Sequence, residues 1–217
     1  MMKKTKTTLS ALCICLLALV AVSAGARTAG YTKLNVKGRV QLEIPSDWTI
    51  NDAEQRRRIK EQAEKLTSVP SIHTASLAAQ SYPAPSRAIV RVSFIPMAPP
   101  LTQADVQNEV RSNKQQVLRD LADVWREESP TMWAALAKNG VKQVGRPHFA
   151  VEPIGGKIAL IISYRRTSIG NPSETMRVTQ YHVPLGAEKA LITLSYIDSD
   201  PLARAAHNRI KSSIRIR

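Results

Sequence analysis

The segment KIALIISYRR, residues 157–166, decides how this chain folds. In an extended strand successive side chains point to opposite faces, so Ile158, Leu160, Ile162 and Tyr164 share one side. Ala159 and Ile161 make the other side apolar too. A short run that is apolar on both faces predicts a fully buried strand, in the middle of a sheet. Its surroundings repeat the extended pattern. Residues 147–153, a turn at Gly155-Gly156, residues 157–166, the loop SIGNPSE, residues 176–184, the turn LGAEK and residues 190–197 predict four strands. Short connections make such strands antiparallel neighbours. DSDP then opens a last helix, whose Leu202, Ala206, Ile210 and Ile214, spaced by four, are expected to form its buried stripe.

Upstream, RAIVRVSFIP (87–96) places Ala88, Val90, Val92 and Phe94 on one face and Ile89, Arg91, Ser93 and Ile95 on the other. Residues 71–80 are expected to pair with it across the turn-rich SYPAPS. Thr102 with Asp105 forms a capping-box pattern. Val106, Val110, Val117, Leu121, Val124 and Trp125 follow at helical spacing. Ser129-Pro130 is expected to restart a shorter helix, and Asn139-Gly140 to end it. Near the start, residues 31–36 and 38–45 predict two short strands around Lys37-Gly38. In the second of them, Val40, Leu42 and Ile44 alternate with Arg39, Gln41 and Glu43, and Pro45 ends the ladder. Asp52 and Gln55 predict a capped helix with Ile59, Ala63 and Leu66 as a narrow apolar stripe. Trp48, at the corner between strand and helix, is expected to close the end of the core beneath that helix. Antiparallel runs of strands with helices between them predict an α+β protein. The expected architecture is an antiparallel sheet covered by helices on both faces, an α/β/α sandwich.

Residues 1–26 are set apart. Lys3, Lys4 and Lys6, an apolar stretch over 9–22 and the small residues of SAGA follow the order of a secretory signal peptide. Cleavage is expected after Ala26, or two residues earlier. The apolar core is shorter than the ~20 residues that span a bilayer, which favours a leader over an anchor. The mature chain, residues 27–217, is then expected to be a single periplasmic or secreted bacterial domain. Both cysteines, Cys13 and Cys15, lie in the leader, so thiol catalysis, thiolate metal sites and disulfides are excluded from the mature chain.

The chain carries a formal charge of +14. Three of these charges are leader lysines, so the mature chain is left with +11. Behind a signal peptide the polyanions within reach are lipid head groups, lipopolysaccharide phosphates and acidic protein faces, and no nucleic-acid partner is expected.

The order of the pieces resembles a known family. The short hairpin, VQLEIPSDWTI, a helix, RAIVRVSFIP, a capped helix, GGKIALIISYRR, MRVTQYHVP, KALITLSYID and a final helix ending IKSSIRI look like the PsbP-like, DcrB-type sandwich family. That family is named for an extrinsic photosystem II subunit and also includes a Ran-binding Mog-type nuclear factor and bacterial envelope proteins. The resemblance spans residues 31–217. Its most specific elements are Pro45 and Trp48 in Pro-x-x-Trp and the closing strand–helix pair. The longer helical segment between Leu101 and Asn139 departs from the pattern. The resemblance implies a non-enzymatic accessory protein that docks on membrane complexes, assists assembly or shields apolar segments of clients.

The residues point the same way. His73, His148, His182 and His207 have no metal-ligand spacing, although His148 and His182 would approach each other if their strands were adjacent. His207 falls off the apolar stripe and is expected to be wet. No nucleophile elbow or phosphate loop is present. No catalytic, cofactor-binding or metal residue is therefore assigned, no cofactor is expected, and the chain is expected not to be an enzyme. Arg56, Arg57, Arg58 and Lys60, together with the strand residues Arg91, Arg165 and Arg177, form a candidate anion or partner surface. If the strands are neighbours, the three guanidiniums converge on a carboxylate or phosphate; otherwise they lie along a sheet edge. Trp125 and Trp133 are candidate partner contacts. The expected function is an exported monomer that docks on, or assists, an envelope protein or membrane complex. The alternative is a binder of anionic lipid or glycan through the basic surface.

Overall fold

The structure, a computed structural model, describes residues 30–67, 74–81, 86–169 and 171–217. The expected signal segment, both cysteines, His73, most of SYPAPS and the side chains of Ala63 and Leu66 lie outside the described residues.

The chain opens with a hairpin, β1 (Tyr31–Val36) and β2 (Val40–Pro45). Lys37 and Gly38 have φ of 52° and 69°; turns of that hand match the right-handed twist of the flanking strands. Next come β3 (Thr49–Ile50), α1 (Ala53–Thr67), β4 (Leu77–Gln80) and β5 (Ala88–Leu101). α2 (Gln103–Ala137) precedes the meander of β6 (Gln143–Ile154), β7 (Lys157–Ser168), β8 (Asn171–Pro184) and β9 (Gly186–Ile197). α3 (Pro201–Ser213) and β10 (Arg215–Ile216) follow.

Seven strands form one sheet in the order β3-β4-β5-β9-β8-β7-β6, each pair antiparallel. β7 lies inside it, as its two apolar faces required. β1, β2 and β10 form a separate three-stranded sheet. The described residues are thus α+β, with antiparallel sheets and three helices. The layers differ from the expected pair of helical covers. On one face Val90, Val92, Ala159, Ile161, Ile192 and Leu194 pack against Val40, Leu42 and Ile44 of the small sheet together with Ile210 and Ile214 of α3. Strand β2 thus fills space that helices alone were expected to cover. On the other face Ile162, Tyr164, Met176, Val178 and Ile197 meet Leu121, Trp125, Met132 and Trp133 of α2. Trp48 packs beside Tyr196 and Ala203, so it closes the core under α3 rather than under α1.

Three local expectations change. The irregularity in α2 falls at Asn113 (φ −155°, ψ 74°), not at Ser129-Pro130, and helix runs on through Pro130. The Asn113 side-chain oxygen accepts the Gln116 amide at 3.0 Å and so caps the second half of the helix; asparagine competes well with backbone at such points. On α3 the buried side chains are Ala203, His207 and Ile210, with Ile214 just beyond, whereas Leu202 is 81% exposed. A strict spacing of four advances 40° per step around a helix of 100° per residue, so Leu202 and Ile214 sit ~120° apart. His207 consequently lies in the core against Tyr196, ring centroids 4.8 Å apart, and is not wet.

The two caps written in the sequence are in place, and a third is found where DSDP was expected to open the last helix. Asp52 and Gln55 exchange hydrogen bonds of 2.8 and 2.7 Å, and Thr102 and Asp105 form a complete capping box. Asp200 accepts the Leu202 and Ala203 amides at 3.0 Å each.

Candidate functional site

The antiparallel register sets the chemistry of the sheet face beneath α2. One cross-strand row reads Ser93, Leu191, His182 and Leu160; the next reads Arg91, Thr193, Gln180 and Ile162. Tyr164 lies one row further on, opposite Val178. Gln103, in the first turn of α2, anchors the helix to this floor. Its amide donates to the carbonyls of Ile158 (3.1 Å) and Pro184 (2.8 Å), and its oxygen accepts the Ile158 amide at 2.8 Å.

From that anchor α2 leans over β7, and a groove of about 480 Å³ runs between the helix and strands β5, β9 and β8. Ile95, Met97, Leu121, Val124, Leu160 and Leu191 are among its apolar wall residues, and Val124 is 45% exposed. A second hollow of about 330 Å³ lies along the N-terminal half of α2, sharing Leu101, Leu121, Val124 and Leu160. Asp105, Glu109 and Asp120 rim it. This cluster of acids is conspicuous in so basic a chain.

The polar residues that line the groove are Gln180, His182 and Lys189 on the sheet and Glu128 and Ser129 on α2. Burial, and then the charge of Lys189, lower the His182 pKa to about 4, because an ion is costly where water is scarce. Its Nε2 is buried and has no hydrogen-bond partner. His148 is exposed on β6 and is separated from His182 by β7, so the two imidazoles do not meet. Among the described residues no three His, Cys, Asp or Glu side chains are grouped to hold a metal ion, and no helix is long and apolar enough to cross a membrane.

Trp125 and Trp133 belong to an aromatic cluster with Tyr164. Trp125 lies 5.1 Å and Trp133 5.5 Å from the tyrosine ring, and the two indoles are 6.4 Å apart. Trp125 also lines the groove, whereas the Trp133 Nε1 is buried without a partner.

The candidate arginines divide. Arg165 and Arg177 are cross-strand partners and converge on Asp198, at 4.0 and 2.9 Å. Arg204 donates to the Asp198 backbone oxygen at 2.6 Å. The hydrogen bond that Arg177 donates to the Asp198 carboxylate holds it above its usual pKa. Arg91 is not with them; by register it points to the α2 face, and they point away from it. On α1 most of the cations are answered within the helix. Arg57 pairs with Glu61 at 3.6 Å, Arg58 with Glu54, and Lys60 with Glu64 at 2.7 Å, while Arg56 donates to the Asn51 carbonyl at 2.6 Å.

Asp198 carries much of this geometry and was not assigned a role from the sequence, and His182 was considered there only together with His148. Each acquires its surroundings from the strand order. A register that placed β9 between β5 and β8 is the signal that would have found them.

No known family's sequence profile matches the chain, and no curated protein does. Solved structures are similar to it at low identity. A protein of Bacteroides thetaiotaomicron is 9% identical over 87% of this chain, with a TM-score of 0.43; the chain spans 49% of that protein's length. The cyanobacterial PsbP (CyanoP) of Synechocystis is 11% identical, with 91% of this chain and 99% of that one covered and a TM-score of 0.46. LpqN of Mycobacterium tuberculosis, involved in cell envelope biogenesis, is 14% identical, with 86% and 90% covered and a TM-score of 0.42. The PsbP likeness seen in the sequence recurs among these three; the DcrB and Mog-type branches do not. Similarity of this strength assigns neither family nor function.

Proposed function

We propose that this chain is an exported, non-enzymatic accessory protein of the bacterial cell envelope, built on a PsbP-like sandwich. Its working surface is the groove between α2 and the sheet. There it takes up an amphipathic segment of another envelope protein, one with apolar side chains and neighbouring lysines or arginines. The observation that supports this most is the pairing of an aliphatic groove with an adjoining hollow rimmed by Asp105, Glu109 and Asp120. Apolar surface supplies attraction, and the carboxylates select a basic partner and repel anionic lipid. His182 fits the same role. Held uncharged, it adds no fixed charge to the apolar wall, and a group titrating near pH 4 is poorly matched to proton transfer at neutral pH.

The alternative, attachment to anionic lipid or glycan through α1, is weakened by the ion pairs that Arg57, Arg58 and Lys60 already make. The test is site-specific photo-cross-linking in intact cells. A benzophenone side chain at Val124 or Met97 is expected to capture a discrete envelope protein, and one at Lys33 on the small sheet is not. Identical products from all three positions, or products made of lipid alone, would sink the proposal.

A further inference from the structure

The two sides of the groove differ in hydrogen-bonding character. On the sheet side Gln180, His182 and Lys189 line it among Ile95, Leu160 and Leu191. The register gathers the three polar residues. His182 and Leu191 are cross-strand partners on β8 and β9. Gln180 precedes His182 by two positions and Lys189 precedes Leu191 by two, so all four side chains share the α2 face. Lys189 is thus a diagonal neighbour of His182, within reach of a long side chain, and its charge is felt at the imidazole. Lysine only donates, a neutral imidazole offers one N–H and an amide offers two. Among the described residues none of these three side chains has a hydrogen-bond or ion-pair partner. On the helix side stands Glu128, a pure acceptor, exposed and not paired with Lys189.

An occupant that fits brings an anionic acceptor to the sheet side, a donor to the helix side and hydrocarbon beside both. Lys189 is half-buried, and opposite charges attract more strongly where water is scarce. The His182 Nε2 is shut off from water and from protein acceptors, and an unpaired buried group calls for a specific explanation. Rotation about the broad Cβ–Cγ torsion of the ring turns a ring nitrogen to the groove, where an entering oxygen accepts its N–H. The last residue of a peptide chain carries every one of these pieces. Its carboxylate, its amide N–H and its side chain all spring from one Cα. An aspartate or glutamate within a chain holds its carboxylate further from the amide, and a fatty acid has no N–H for Glu128.

We infer that the groove receives the C-terminal residue of its partner, with the terminal carboxylate on Lys189, Gln180 and His182 and the last amide N–H on Glu128. Capture of a C-terminal carboxylate is a recurring mode of peptide recognition. The inference rests on the groove reading and adds a direction to the bound segment. An apolar side chain comes last, and the lysines or arginines lie upstream, toward Asp105, Glu109 and Asp120.

The test is affinity selection by the purified protein from two libraries of short random peptides, identical except that one ends in a free carboxylate and the other in an amide. Peptides of the first library with an apolar last residue are expected to be retained. The tightest of them, resynthesised and titrated by fluorescence polarisation, is expected to bind roughly tenfold or more weakly once amidated, as for loss of a charge-assisted hydrogen bond. Lys189→Met is expected to erase the difference between acid and amide. Lys33→Met, an equal change of net charge at an exposed position of β1, is expected to preserve it. Thermal melting reports whether each variant is folded, and the acid–amide comparison on the unaltered protein needs no variant. Equal retention of both libraries, or an acid–amide difference that persists in Lys189→Met, overturns the inference. If Val124→Asp abolishes that binding, the groove reading survives the loss. Retention from neither library overturns both.

Discussion

Replacing Ile210 by alanine tests the packing of α3 against both sheets. Ile210 is 1% exposed and packs in the core that joins β2 to β9. The change removes three buried carbons, worth about 2.4 kcal/mol at ~0.8 each. Incomplete collapse of the hole adds about 1 kcal/mol. A loss of ~3–4 kcal/mol lowers the melting temperature of a domain this size by roughly 7–14 °C. The comparison is Leu202→Ala on the same helix, which deletes as much hydrocarbon from a position 81% exposed and is expected to stay within ~0.5 kcal/mol of the parent. Urea unfolding followed by tryptophan fluorescence gives both values, provided the slope with denaturant is unchanged. If Leu202→Ala is as damaging as Ile210→Ala, or if Ile210→Ala costs under ~1 kcal/mol, the placement of α3 is wrong.

Three further outcomes are expected. His182 titrates at about 4 when folded against ~6.5 in the unfolded chain, so its contribution is intact above pH 6.5 and is lost as pH falls toward 4, on the order of 3 kcal/mol; His182→Leu should flatten the stability curve across that window. Burial pushes the Asp200 carboxyl up, but amide bonds from Ala203 and Leu202 and the Arg87 guanidinium outweigh it and hold the carboxyl below the usual range. Its stabilisation is therefore present above the unfolded carboxyl pKa and disappears as acid takes pH down through the folded one. Asp200→Asn keeps a capping oxygen, and acid titration of its stability should show a shallower fall below pH ~4. Asn113→Ala removes the cap of the second half of α2 and should cost ~1 kcal/mol in urea unfolding, while Asn113→Asp should be close to neutral.

What could be read before the fold was known was local. The caps at Asp52 and Thr102, and the start of the last helix at DSDP, were legible because each joins residues only a few positions apart. Residues 157–166 announced an interior strand because both faces of one segment are apolar, whatever lies beside it. Pairings across long separations were not legible. Nothing near Arg91 says that β9 lies beside it, and hence that Gln180 and Ile162 share its row. Arg165 and Arg177 did meet, but on the face opposite Arg91, and Asp198 answered them from beyond the end of β9. On α3 the apolar set Leu202, Ala206, Ile210 and Ile214 was equally good by spacing. Burial against Tyr196 of β9 chose the stripe through Ala203 and His207, at the expense of exposing a leucine.

The short strand β10 has a bearing on the order in which this molecule assembles. Ile216 and Arg215 lie against Val40 and Gln41. The Ile216 amide reaches the Gly155 carbonyl at 3.0 Å, and the Arg217 amide reaches the Arg39 carbonyl at 2.9 Å. Three parts of the chain made far apart in time are thereby sewn together. The first hairpin can close on its own, since its strands are separated by a three-residue turn. Its outer rim must wait for residues some 175 positions later, and a waiting rim is an invitation to strangers. Until that stitch is drawn, the half-finished protein is at its most vulnerable to clumping, and a helper that shields nascent chains would find its client there.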